Sequence, residues 1–211
     1  MDLRLSTNAL DTIIRTVVES GPLEPMGYIF YKKRGSGYSI ESAYPLITAD
    51  RKPTQVSYGN QEAINRLRKL CEAMKASGRN FLIGGYHSHP LREKDDARRT
   101  NRLSLSDLDF LDGDMQIFHQ ESWIELLVKI ESRKLNWARA IGISSHEYRR
   151  KAKFTIQDSL FHQHRLTCSA YLVYPLERAS CNEPSKNKPS SENYEVLNIH
   201  ELKVKISAKS I

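Results

Sequence analysis

Two amphipathic helices separated by strand-forming runs constrain this chain most. Leu10, Ile13, Ile14, Val17 and Val18 recur at the i, i+3, i+4, i+7, i+8 spacing that lays one apolar stripe along a helix over 7–19. Gly21-Pro22 stops it. Asn60 is a natural N-cap for a second helix to 77, whose Ile64, Leu67, Leu70, Cys71 and Met74 form one apolar face before Gly78. Between the helices, 26–32 and 38–46 read as a hairpin across Gly35-Ser36-Gly37, with a further extended stretch at 55–58. After them, 81–89 (FLIGGYHSH) is a short buried strand that Pro90 ends. A charged loop runs to Leu103 and a short helix from Ser104 to about Asp112. Strands are expected at 123–130, 137–144, 148–156 and 166–174. Helices flanking strands over 1–175 predict one compact α/β domain.

Beyond it the composition changes. Residues 176–193 are rich in Ser, Pro and Asn, as a flexible linker is. Residues 194–211 regain apolar side chains and are expected to dock as an edge strand or short helix, or to bind a partner. The 211 residues contain no apolar run near the ~20 that a membrane helix needs, and Met1-Asp2-Leu3-Arg4 is not followed by the long apolar run of a signal peptide, so export is not expected. Three scattered cysteines, Cys71, Cys168 and Cys181, make no disulfide framework, so a cytoplasmic protein is expected. Cys71 lies in a helical apolar stripe and reads as core. The net charge is +7, but in 91–102 the basic residues alternate with Glu93, Asp95 and Asp96. A nucleic-acid stripe is cleaner and carries stacking aromatics, so nucleic-acid binding is disfavoured.

The chemistry concentrates in His87-Ser88-His89-Pro90. Side chains at i and i+2 of a strand share a face, so both imidazoles can reach one metal ion. A catalytic zinc site takes three protein ligands and keeps one position open. Asp107 in Ser104-Leu105-Ser106-Asp107-Leu108 offers a carboxylate one turn into a helix, although Ser104-x-x-Asp107 is also a capping-box pattern. A second His-x-His, His162-Gln163-His164, lacks such a neighbour and reads as surface or loop.

Glu24-Pro25-Met26-Gly27, His87-Ser88-His89-Pro90 and Ser104-Leu105-Ser106-Asp107-Leu108, in that order, resemble the JAB/MPN (JAMM, Mov34/MPN/PAD-1) zinc metalloprotease family, in a stand-alone prokaryotic-type form. The resemblance extends over roughly residues 5–175. Fourteen residues separate His89 from Ser104, a longer loop than the family's usual one, and Ser106 with Asp109 offers a second S-x-x-D match. Leu103 and Leu108 favour Ser104 and Asp107. The resemblance implies a single MPN/JAB (cytidine-deaminase-like) domain with a central mixed sheet flanked by helices. It implies Zn2+ held by His87, His89 and Asp107, Glu24 as the acid–base carboxylate, and Ser104 as oxyanion donor. Glu41 is the rival to Glu24; only Glu24 is followed by x-x-Gly and an apolar strand. Gly84 and Gly85 allow a close approach of substrate backbone, another strand or a packed helix.

The implied activity is hydrolysis after the Gly-Gly-type C-terminal tail of ubiquitin or a ubiquitin-like protein, with E1- or E2-like enzymes encoded nearby as implied partners. The charged loop before Ser104 is a candidate substrate flap. Two alternatives stay open: a non-catalytic MPN scaffold, and a JAB domain in a DNA-associated or antiphage system.

Overall fold

The computed structural model describes residues 1–20, 23–46, 50–52, 55–57, 61–76, 81–90, 103–175 and 197–206. The chain begins with β1 (Asp2–Leu5), α1 (Thr7–Glu19), β2 (Met26–Arg34) and β3 (Gly37–Pro45). Then come β4 (Asp50–Lys52), β5 (Gln55–Ser57), α2 (Gln61–Ala76), β6 (Leu82–Pro90) and α3 (Leu105–Ile117). The rest is strand: β7 (Trp123–Lys134), β8 (Gly142–Tyr148), β9 (Lys151–Ser159), β10 (His162–Pro175) and β11 (Leu197–Ile206).

Local chemistry accounts for the first elements. The Ser6 side chain accepts from the Ala9 N–H at 3.3 Å and caps α1. The stripe of α1 is buried at Ala9, Leu10, Ile13, Ile14 and Val17. Gly35, at φ 58°, supplies the left-handed residue that turns β2 into β3.

Nine strands form one sheet in the order β11-β1-β3-β2-β6-β7-β10-β9-β8, and β4 and β5 pair separately. β10 decides the architecture. One of its edges pairs with β7 along its length. The other pairs with β9 over His162–Cys168 and with β11 over Ala170–Pro175. Because β11 also pairs in parallel with β1, the ring β11-β1-β3-β2-β6-β7-β10 closes into a seven-stranded barrel, and β9 and β8 branch off it.

This closure overturns the expected class. The protein is not an α/β domain with a central mixed sheet flanked by helices; it is mostly sheet, closed on itself, with three short helices among the described residues. The physical reason is the segment 197–206. Its Leu202 and Val204 are buried in the main core, so it is a strand of the ring and not an edge strand or helix. A closed ring hides the backbone edges that an open sheet exposes.

The two faces of the strands build two cores. One joins the stripe of α1 to Leu3, Ile29, Ile40, Tyr86, Leu126, Ala170 and Val204, drawn from all seven ring strands. The other gathers Tyr28, Phe30, Ile83, Trp123, Leu127 and Tyr171 under Leu111, Met115 and Phe118 of the α3 segment. The opposite face of β6 from Tyr86 therefore looks toward α3, and it carries His87 and His89.

Several expectations change in detail. Leu67 and Met74 of α2 pack on the second core, but Leu70 is 46% exposed. Ile64 and Cys71 lie outside the described side chains. The strand expected at 137–144 begins only at Gly142, and Trp137 and Ile141 are exposed. Cys168 is core, and burial pushes its thiol up to about 12. The linker 176–193, most of the charged loop and Cys181 lie outside the described residues. No described helix is long and apolar enough to cross a membrane.

Candidate metal centre

His87, His89 and Asp107 form a group that could hold a metal ion, with one ligand atom from each within 4.8 Å of the others. β6 supplies both imidazoles on one face, their ring centroids 5.0 Å apart. The N-terminal turn of α3 supplies the carboxylate. Asp107 Oδ1 lies 3.6 Å from His87 Nε2, and Oδ2 lies 3.8 Å from His89 Nε2. These separations are too long for hydrogen bonds and leave room for a cation between the groups.

Asp107 belongs both to a helix cap and to the group that could hold a metal ion. Ser104 is the N-cap of α3, its hydroxyl accepting from the Asp107 N–H at 3.2 Å. Asp107 Oδ2 in turn accepts from the Ser104 N–H at 2.5 Å. This reciprocal box ties down one carboxylate oxygen and aims the other at His87.

Glu125 on β7 is the residue that sequence reasoning missed. Its Oε1 is 2.7 Å from His87 Nδ1, and its Oε2 accepts from Trp123 Nε1 at 2.9 Å. It is 3% exposed. A buried carboxylate on one imidazole nitrogen favours the proton there and leaves the other nitrogen to offer a lone pair to a cation. The readable signal was an acid inside the apolar run Trp123-Ile124-Glu125-Leu126-Leu127-Val128, two residues from Trp123 and so on its face. Gly85 makes the arrangement possible. A Cβ there lies 2.3 Å from Glu125 Oε2. At Gly84 a Cβ meets the Ile124 carbonyl of the adjacent strand at 2.3 Å. Both glycines thus serve close approach within the sheet.

The two carboxylates favour positive charge at His87. Burial pulls the His87 pKa down, but the carboxylates of Asp107 and Glu125 more than reverse this and leave it pushed up to about 10. Burial raises Asp107, and His87 together with the Ser104 contacts outweighs it, holding the carboxyl well below the usual range. His87 Nε2 is buried with no hydrogen-bond partner. Such an orphaned nitrogen, facing an acid and a second imidazole, fits a metal ligand.

The other sequence candidates fall into place around this group. Glu24 is half-buried and precedes Pro25, whose carbonyl accepts from the Ser88 N–H at 3.0 Å. With Met26 opposite His87, that bond carries the β2 backbone on past β6 toward His89, so Glu24 enters at the same end of the sheet. It stands outside the three-residue group. The rival Glu41 sits on β3, which β2 separates from β6, and pairs with Arg34 at 3.6 Å. Ser104 Oγ lies 2.9 Å from Ser106 Oγ. The Asp109 side chain lies outside the described residues. His162 and His164 are on β10, not a loop, against Ser159 and Ser132, and join no metal group among the described residues.

No protein-family model matches the chain, and no curated protein matches it. Among solved structures, the protein DSY2949 from Desulfitobacterium hafniense is similar over 60% of this chain and 74% of its own, with 20% identity and a TM-score of 0.40. A likeness that weak transfers neither fold nor function.

Proposed function

We propose that the protein is a zinc-dependent hydrolase of peptide or isopeptide bonds, cleaving after the Gly-Gly-type tail of ubiquitin or a ubiquitin-like protein. One observation carries the proposal: a buried, unbonded His87 Nε2 set against His89 and Asp107, with Glu125 pinning the opposite nitrogen. The resemblance of the three motifs to the JAB/MPN metalloproteases supports the choice of zinc and of substrate.

In this reading His87, His89 and Asp107 hold the ion. Bound zinc supplies Lewis acidity and brings the pKa of a water ligand to about 7. Glu24 takes a proton from the attacking water and returns it to the leaving amine. Ser104 donates its hydroxyl proton to the developing oxyanion while its oxygen still accepts from the Asp107 N–H, because a hydroxyl does both at once. His87 holds its proton at Nδ1 against Glu125 throughout.

The test uses the full chain loaded with zinc and a ubiquitin-like protein fused through its Gly-Gly end to a reporter. His87→Ala is expected to lose zinc and cleavage together. Glu24→Gln is expected to keep zinc and fold while losing cleavage by about 10²-fold or more. Cleavage by Glu24→Gln at the wild-type rate refutes the role of Glu24. Stoichiometric zinc with no cleavage of any Gly-Gly fusion points to a scaffold.

A further inference from the structure

A cleft of about 1120 Å³ opens beside the metal centre. It is lined by Lys129, Arg149, Arg150, Lys151, Lys153 and Glu201, which makes five cations against one carboxylate. Leu103, immediately before the Ser104 cap, is part of its wall, so cleft and metal centre share a border.

The strand register explains why the cations line up. His89 is paired with Lys129, Lys129 with Thr167, and Thr167 with Lys153. Directly opposed residues share a face, so this transverse row runs from a metal ligand across β7 and β10 to β9. At about 4.8 Å per strand, Lys129 stands roughly 5 Å from the His89 backbone and Lys153 roughly 10 Å further. Lys151 lies two residues along β9 on the same face, and Arg149 and Arg150 follow in the β8–β9 turn.

We infer that this cleft seats an acidic, extended polypeptide segment alongside the metal centre. Only its placement next to a scissile bond rests on the hydrolase reading above. Three observations support it. The cleft exceeds the ~300–1,000 Å³ typical of small-molecule sites. Lys129 and Lys153 stand roughly 10 Å apart across the strands, a span of about three extended residues, with Lys151 and Arg149 further along β9 and its turn, so a single small anion satisfies only part of them. The cleft holds two described aromatic linings and no run of stacking rings: Tyr171 is 8% exposed, and Tyr148, 49% exposed, already has Lys153 Nζ at 4.5 Å and Arg149 Cζ at 5.3 Å from its ring. Single-stranded nucleic acid stacks successive bases on several such rings. Carboxylate side chains need only the cations.

The experiment is fluorescence anisotropy with the zinc-loaded full chain. The probes are a labelled peptide of alternating Glu and Ser, its Gln-for-Glu twin, and a single-stranded oligodeoxynucleotide of equal charge. The Glu peptide is expected to bind, its twin at least tenfold more weakly, with affinity falling as salt rises. The double variant Lys129→Glu/Lys153→Glu is expected to weaken Glu-peptide binding by at least tenfold, and Lys69→Glu, at an exposed position of α2, to leave it unchanged. Melting temperature and zinc content verify the fold; should the double variant fail either, Lys129→Gln/Lys153→Gln takes its place with the same sign. Equal binding of the Glu and Gln peptides, or wild-type binding by the folded variant, overturns the inference. Tighter binding of the oligonucleotide also overturns it. Cleavage is not read, so a failed hydrolase proposal leaves these outcomes intact.

Discussion

Glutamine at position 125 puts one acceptor where the structure needs two. Glu125 faces two buried donors, Trp123 Nε1 at 2.9 Å and, in the metal-ready tautomer, His87 Nδ1 at 2.7 Å. A carboxylate accepts from both. An amide presents one oxygen and one NH2, so either orientation sets a donor against a donor. A buried unsatisfied donor costs about 1–3 kcal/mol. If His87 yields, its ring turns or changes tautomer and Nε2 no longer faces the ion. Loss of such an orienting partner lowers metal affinity ~10–100-fold, about 1.4–2.7 kcal/mol. The two figures describe one event and agree in size. Glu125→Gln is therefore expected to bind zinc ~10–100-fold more weakly, read by competition with a chromophoric chelator, and to melt lower than wild type without zinc. Gly85→Ala is expected to act in the same direction, because its Cβ lies 2.3 Å from Glu125 Oε2. Zinc affinity of Glu125→Gln within twofold of wild type refutes the reasoning.

Three further outcomes are expected. Ser104→Ala removes the cap of α3 and loosens Asp107, so melting reports a loss of about 1 kcal/mol and zinc affinity falls with it. In the zinc-free protein the His87 proton stabilises fully below its unfolded value of 6.5, and this contribution is lost as pH rises toward about 10. Zinc competes with that proton, so the rise in melting temperature on adding zinc grows between pH 6 and pH 8.5; a flat or shrinking rise contradicts the assignment. Leu202→Ala, at a 1% exposed position of β11, costs about 2–5 kcal/mol in chemical denaturation if β11 closes the barrel, and little if the C-terminal segment only rests on its surface.

The sequence was most readable where chemistry is local. His87 and His89 share a face because strands have a period of two, and Ser104 with Asp107 announces a helix start whatever else the acid does. The closed barrel was not readable. It depends on β1 meeting β11 across nearly the whole chain, and on β10 splitting one edge between two partners. No periodicity within a segment reports either. The helical stripe of α2 misled at Leu70 because apolar spacing shows which face can be buried, not how far the neighbouring sheet covers it. Trp137 and Ile141 misled similarly: strand-forming side chains remain exposed where the chain has not yet joined β9. Glu125 was hidden by distance, since its partner imidazole lies 38 residues earlier and only the parallel pairing of β6 with β7 brings them together.

X-ray absorption at the zinc edge tests the metal assignment most directly. The protein loaded with one zinc per chain is expected to show the multiple-scattering signature of two imidazoles and a first shell of nitrogen and oxygen near 2.0–2.1 Å, and His87→Ala is expected to lose that spectrum together with its zinc. Sulfur scattering near 2.3 Å, or a spectrum unchanged by His87→Ala, places the ion elsewhere and contradicts a centre built from His87, His89 and Asp107.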